Sequence, residues 1–149
     1  MAQPGKAGLS YYPLSTLPAS LDIVWCLFPI DEAPNTPGPY PRPSLVRAVA
    51  LNRDQTKAIV NITYGTSRIK ENRTLDLQIQ NCRSLDECGL EKATRFDLDK
   101  TIWLPWAKEF FRPPARYSGP ILGHLDPQSC MQLEALKVAR RALASRKRP

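Results

Sequence analysis

Apolar positions in this chain fall in short runs, and their spacing predicts strands more often than helices. From Ile23 to Ile30 (I-V-W-C-L-F-P-I) the run is nearly continuous and rich in β-branched and aromatic residues, which predicts a buried strand over 22–30. A partner strand is expected over 44–51. Pro29, Pro34, Pro37, Gly38, Pro39, Pro41 and Pro43 lie between or beside them, forbid helix and hold the backbone extended or turning. Lys57 to Thr63 (K-A-I-V-N-I-T) predicts a third strand, leading into a turn at Tyr64-Gly65-Thr66-Ser67 and a polar bend over 68–74. The segment from Leu75 to Ile79 alternates strictly, so Leu75, Leu77 and Ile79 are expected inward and Asp76 and Gln78 outward. Asn81 to Gly89 reads as a loop with one helical turn, and Ala93–Leu98 and Thr101–Leu104 as two further strands. Ile121–Leu125 reads as a last short strand or turn.

Only the end of the chain has helical spacing. Asp126-Pro127 is a helix start, an acceptor for free amide hydrogens followed by a proline at the first helical position. Met131, Ala135, Val138 and Ala142 then recur as one apolar face, with Leu136, Ala139 and Leu143 beside it. The chain divides into an extended, partly disordered lead-in over 1–20, one folded domain over 21–145 and a basic tail over 146–149. In the lead-in, Tyr11, Tyr12 and Leu14 are placed to strap the body. Residues 105–120 read as an insertion whose Trp106, Phe110 and Phe111 pack on that body. Short strands, proline-rich loops and one terminal helix describe a mainly β chain of α+β type, a small barrel with a C-terminal helix.

Composition sharpens this in two ways. Lysine and arginine number 21 against 14 acidic residues, a formal charge of +7, which favours polyanion partners, RNA or DNA first. The plainer reading of the same charge is a solvated surface with a basic end. The cysteines, Cys26, Cys82, Cys88 and Cys130, lack metal-ligand spacing; they read as free thiols in a reducing cytoplasm, with a Cys82–Cys88 disulfide as the alternative. No secretion signal and no membrane-length apolar run is expected.

Among candidate groups Arg42 stands first. It is fixed between Pro41 and Pro43 at the mouth of the second strand, and a guanidinium on a stiffened backbone suits a phosphate or carboxylate. Pairing with a carboxylate of the same chain, or capping a loop, is the alternative. Trp25 and Trp103 are expected in the core. His124, the only histidine, lies beside the helix start and reads as structural.

The order D-I-V-W-C-L-F-P, R-P-S-L-V, Y-G-T-S, G-L-E-K-A-T-R-F-D and I-L-G-H-L-D-P before a final helix resembles the MazF/PemK/Kid toxins of bacterial type II toxin–antitoxin pairs. The resemblance spans about residues 21–145 and implies an SH3-like β-barrel, a homodimer in the bacterial cytoplasm, and an antitoxin partner. It also implies a metal-independent endoribonuclease, without cofactor, that cleaves single-stranded RNA (mRNA) by attack of the 2′-hydroxyl to leave a 2′,3′-cyclic phosphate. By the same resemblance Arg42 binds the scissile phosphate. Thr66, with Ser67 beside it and Thr63 as the weaker match, holds a phosphate oxygen or orients the 2′-hydroxyl, and Arg68 adds a substrate contact. Arg95-Phe96-Asp97 before Thr101-Ile102 matches the family's R-x-D arrangement, with Asp97 as general base and Arg95 as general acid or charge stabiliser. Read from spacing alone, Arg95 and Asp97 share one strand face and form a surface ion pair. The rival function is a non-catalytic barrel that binds nucleic acid or a protein target such as gyrase.

Overall fold

The computed structural model describes residues 8–147; the first residues of the lead-in, 1–7, and the last two of the basic tail, 148–149, lie outside them. Six strands form one antiparallel, curled half-barrel sheet in the order β4-β5-β3-β2-β1-β6, with β1 at Asp22–Cys26, β2 at Arg42–Leu51, β3 at Ala58–Thr66, β4 at Leu77–Ile79, β5 at Thr94–Pro105 and β6 at Ile121–His124. Among the described residues there are also two α-helices, α1 at Cys82–Cys88 and α2 at Pro127–Lys147, and a 3₁₀ turn at Leu14–Thr16.

The continuous apolar run of β1 has a direct explanation: the strand is buried on both faces. Val24 and Cys26 face a cluster with Val46, Val60, Ile62, Leu104, Trp106, Phe110 and Phe111. Ile23, with Leu45 of β2, faces a second cluster under the helices, made with Leu77, Ile79, Phe96, Leu125, Leu133 and Leu136. Alternation thus sends successive residues into different cores, and neither face can be polar.

Residues 106–111 close the first core. Trp106 donates its amide to Ala58, Leu27 donates to the Phe110 carbonyl, and Cys26 bridges Phe111. The lead-in straps this segment, as expected: Tyr12 donates its amide to the Trp106 carbonyl and its hydroxyl to the Phe111 carbonyl at 2.6 Å. All three aromatics, Trp106, Phe110 and Phe111, are buried.

Several elements depart from expectation for identifiable reasons. β1 stops at Cys26, four residues early by the 22–30 expectation, because Leu27 and Gly38 close a loop across it. β2 starts at Arg42, and β3 runs through Thr66, so Tyr64-Gly65-Thr66 is strand and the turn begins at Ser67. The expected strands 93–98 and 101–104 are one strand, β5, in which Thr101 pairs with Thr63 and Phe96 with Gly65; residues 97–100 bulge out opposite Tyr64 alone. Asp76 is buried rather than outward, since two arginines compensate its charge. The 81–89 segment is a full helix, capped by the Asn81 side chain on the Ser84 amide and ended by Gly89 at φ +73°. Trp103 points outward, 46% exposed, and Trp25 is half-buried, so neither sits in the core. On α2 the buried face is Ser129, Leu133 and Leu136, while Met131 and Val138 of the expected face are exposed.

All four cysteines are free thiols. Burial pushes Cys88 up to about 12, which makes it chemically quiet. Among the described residues no helix is long and apolar enough to cross a membrane.

Candidate functional site

A cleft of about 340 Å³ opens where the start of β2 meets the turn after β3 and the segment after α1. Its lining includes Trp25, Arg42, Ser67, Glu91, Lys92, Thr94 and Tyr117. Arg42 is held by the register of β2, opposite the buried Cys26 of β1. The next residue, Pro43, seats its carbonyl against Gly65, so closely that a Cβ added at Gly65 would lie 2.1 Å from that oxygen. The residue is half-buried; its guanidinium stands 5.9 Å from the Tyr64 ring centroid and has no hydrogen bond or ion pair with any described residue. The plainer reading of Arg42, an internal salt bridge, therefore does not hold among the described residues. Lys100 Nζ lies 4.6 Å from the same centroid, so two cations approach one aromatic ring.

The far wall of the cleft is built by the exit from α1. Gly89 turns the chain in the left-handed region; a Cβ there would also strike the Leu122 carbonyl of β6 at 2.2 Å. Leu90 is buried as an anchor, and the Thr94 hydroxyl donates to the Lys92 carbonyl at 2.9 Å. Between these two fixed points Glu91 and Lys92 are exposed, and neither side chain has a partner among the described residues.

The candidate residues of the sequence reading do not gather in one place. Arg42 and Ser67 line the cleft together. Thr66 is buried next to Ser67 and its hydroxyl accepts the Arg68 amide at 3.2 Å, while the Arg68 side chain is exposed. Thr63 is fully buried on the other side of Tyr64; its hydroxyl accepts from Arg47 Nη1 at 3.2 Å and shares a 2.9 Å hydrogen bond with Thr101. Arg95 pairs with Thr66 across the sheet and so adjoins that residue and Arg68, but neither Arg95 nor Asp97 lines the cleft.

Those two sit in a web of ion pairs. Arg95 is buried, donates Nε to the Arg68 carbonyl at 2.9 Å and Nη1 to Asp76 at 2.8 Å, and lies 4.0 Å from Asp97. Asp97 opens the bulge of β5 and accepts from Arg73 at 3.0 Å. Arg73 also clamps Asp76, at 2.8 Å, and Asp99; Asp99 in turn pairs with Arg140 of α2. Burial pushes the Asp76 carboxyl up, but hydrogen bonds from Arg73 and Arg95 outweigh it and hold the group below its usual range. Asp76, Asp97 and Asp99 bring ligand oxygens within 4.8 Å of one another, yet three arginines already neutralise them.

Glu91, Lys92, Thr94 and Tyr117 were not among the sequence candidates. A signal was present in G-L-E-K-A-T, where a helix-ending glycine and a threonine bracket two charged residues, but the same letters fit any solvated turn. No family model, curated protein or solved structure matches the chain.

Proposed function

We propose that this chain is a metal-independent endoribonuclease of the MazF/PemK/Kid toxin kind, on an SH3-like barrel, and that the Arg42 cleft seats a phosphodiester of single-stranded RNA. Arg42 itself carries the reading: a half-buried arginine fixed between two prolines, whose guanidinium has no hydrogen bond or ion pair with any described residue. Its planar fork of donors is left open to a phosphate, which it can bind bidentately. Ser67 adds a hydroxyl, Lys92 an ammonium, and Trp25 and Tyr117 offer aromatic surface on which unpaired bases stack.

In this reading the 2′-hydroxyl attacks the adjacent phosphorus, the bond to the 5′-oxygen breaks, and Arg42 stabilises the charge that builds on the phosphoryl oxygens. Arg95 holds the turn after Ser67 by donating to the Arg68 carbonyl. The net charge of +7 suits both RNA and the acidic segment of an antitoxin. Homodimerisation and a cytoplasmic setting belong to the same reading.

The test uses purified protein, mixed-sequence single-stranded RNA and excess EDTA. Discrete cuts ending in cyclic phosphate are expected, slowed about a hundredfold or more in Arg42→Ala with the melting temperature unchanged. Intact RNA, with binding that weakens as salt rises, would leave the rival reading, a non-catalytic barrel that binds nucleic acid or a protein target such as gyrase.

A further inference from the structure

We propose that Glu91 is the proton acceptor of the Arg42 cleft, an inference that rests on the ribonuclease reading above. Attack by a 2′-hydroxyl needs a base within hydrogen-bond reach of that hydroxyl while the phosphate is held by its cation. Asp97, the carboxylate that sequence resemblance nominates, is poorly placed to act. One of its oxygens accepts from Arg73 at 3.0 Å and from the Asp99 amide at 3.0 Å, and the residue is absent from the lining of the cleft. Taking up a proton there would break ion pairs that hold the loop before β4.

Glu91 has the opposite properties. It is the carboxylate among the cleft-lining residues, it is exposed, and no described residue occupies it. Its backbone is nonetheless fixed, because Leu90 is buried on one side and the Thr94 hydroxyl holds the Lys92 carbonyl on the other. The backbone thus keeps Glu91 at the cleft, with its carboxylate open to a substrate that enters from solvent. Arg42 and Glu91 thus stand on separate elements, β2 and the exit of α1, lining one cavity.

The step balances without a metal. The 2′-hydroxyl gives its proton to the Glu91 carboxylate as its oxygen bonds to phosphorus. The bond from phosphorus to the 5′-oxygen breaks, and that oxygen takes a proton from water in the open cleft. Glu91 then returns its proton to solvent, leaving a 2′,3′-cyclic phosphate and a 5′-hydroxyl.

Glu91→Gln and Asp97→Asn, compared with the unaltered protein, test this by cleavage rate against pH, RNA affinity and melting temperature. Glu91→Gln is expected to slow cleavage about a hundredfold or more, to flatten the acid limb of the pH profile, and to leave RNA affinity and melting temperature unchanged. Asp97→Asn is expected to lower the melting temperature and to slow cleavage less than about tenfold. Cleavage by Glu91→Gln within about threefold of the unaltered protein overturns the assignment and leaves the ribonuclease standing. So does loss of cleavage confined to a fully folded Asp97→Asn. Failure of the unaltered protein to cut RNA removes the ribonuclease reading, and Glu91 with it.

Discussion

At the scale of single residues the cleft depends on close backbone approach as much as on charge. Gly65 lets β2 and β3 converge where Arg42 emerges, and an added Cβ would meet both the Pro43 carbonyl at 2.1 Å and the Phe96 ring at 2.9 Å. Gly65→Ala is therefore expected to cost about 1–3 kcal/mol in urea unfolding, since a backbone carbonyl cannot rotate away. The place of Arg42 at the mouth of β2 was legible from sequence, because prolines on both sides set it there. Asp76 was not: a strict alternation placed it outward, and only the three-dimensional meeting of Arg73 and Arg95 makes its burial affordable. Charge pairs between distant segments leave no periodicity to read. The same limit explains Asp97, whose strand register is broken by a bulge that spacing alone does not reveal.

At the scale of elements α2 shows how a correct helix can be turned the wrong way. Its sequence carries two stripes at the same helical spacing, Met131-Ala135-Val138-Ala142 and Ser129-Leu133-Leu136-Arg140. The first is the more apolar, yet the second faces the sheet, because Leu133 and Leu136 reach the second core and Arg140 binds Asp99 and the Leu75 carbonyl. Leu133→Ala is expected to cost about 2–5 kcal/mol in chemical denaturation. Val138→Lys, on the exposed stripe, is expected to stay within about 0.5 kcal/mol. Equal losses in the two variants would mean that the exposed stripe is covered in solution. Strand existence, by contrast, was well signalled: every expected strand region contains strand, and the errors lie at ends and in the division of β5 into two, where loop closure and bulges decide.

At the scale of the whole molecule, acid is the expected weakness. Asp76 and Asp126 are both raised by burial and more than compensated, the first by Arg73 and Arg95, the second by Ser129, Ser84 and Cys88, so both titrate below the usual carboxylate range. A carboxylate depressed in the folded state adds stability above its unfolded pKa, and that contribution drains away as pH falls through the folded value. Urea midpoints should hold steady near neutrality and drop below about pH 4. Asp76→Asn should shrink that drop and, by stranding Arg95, cost about 3–5 kcal/mol at neutral pH. The strand order has another consequence. β1, the first strand, is flanked by β2 and by β6, the last, and both cores draw on β1. During synthesis, then, the amino-terminal strand waits with one edge unpaired until residue 124 and the helix behind it have left the ribosome. A chain arrested before that point presents an open sheet edge and an uncovered apolar floor, a substrate for chaperones and proteases in place of a finished cleft.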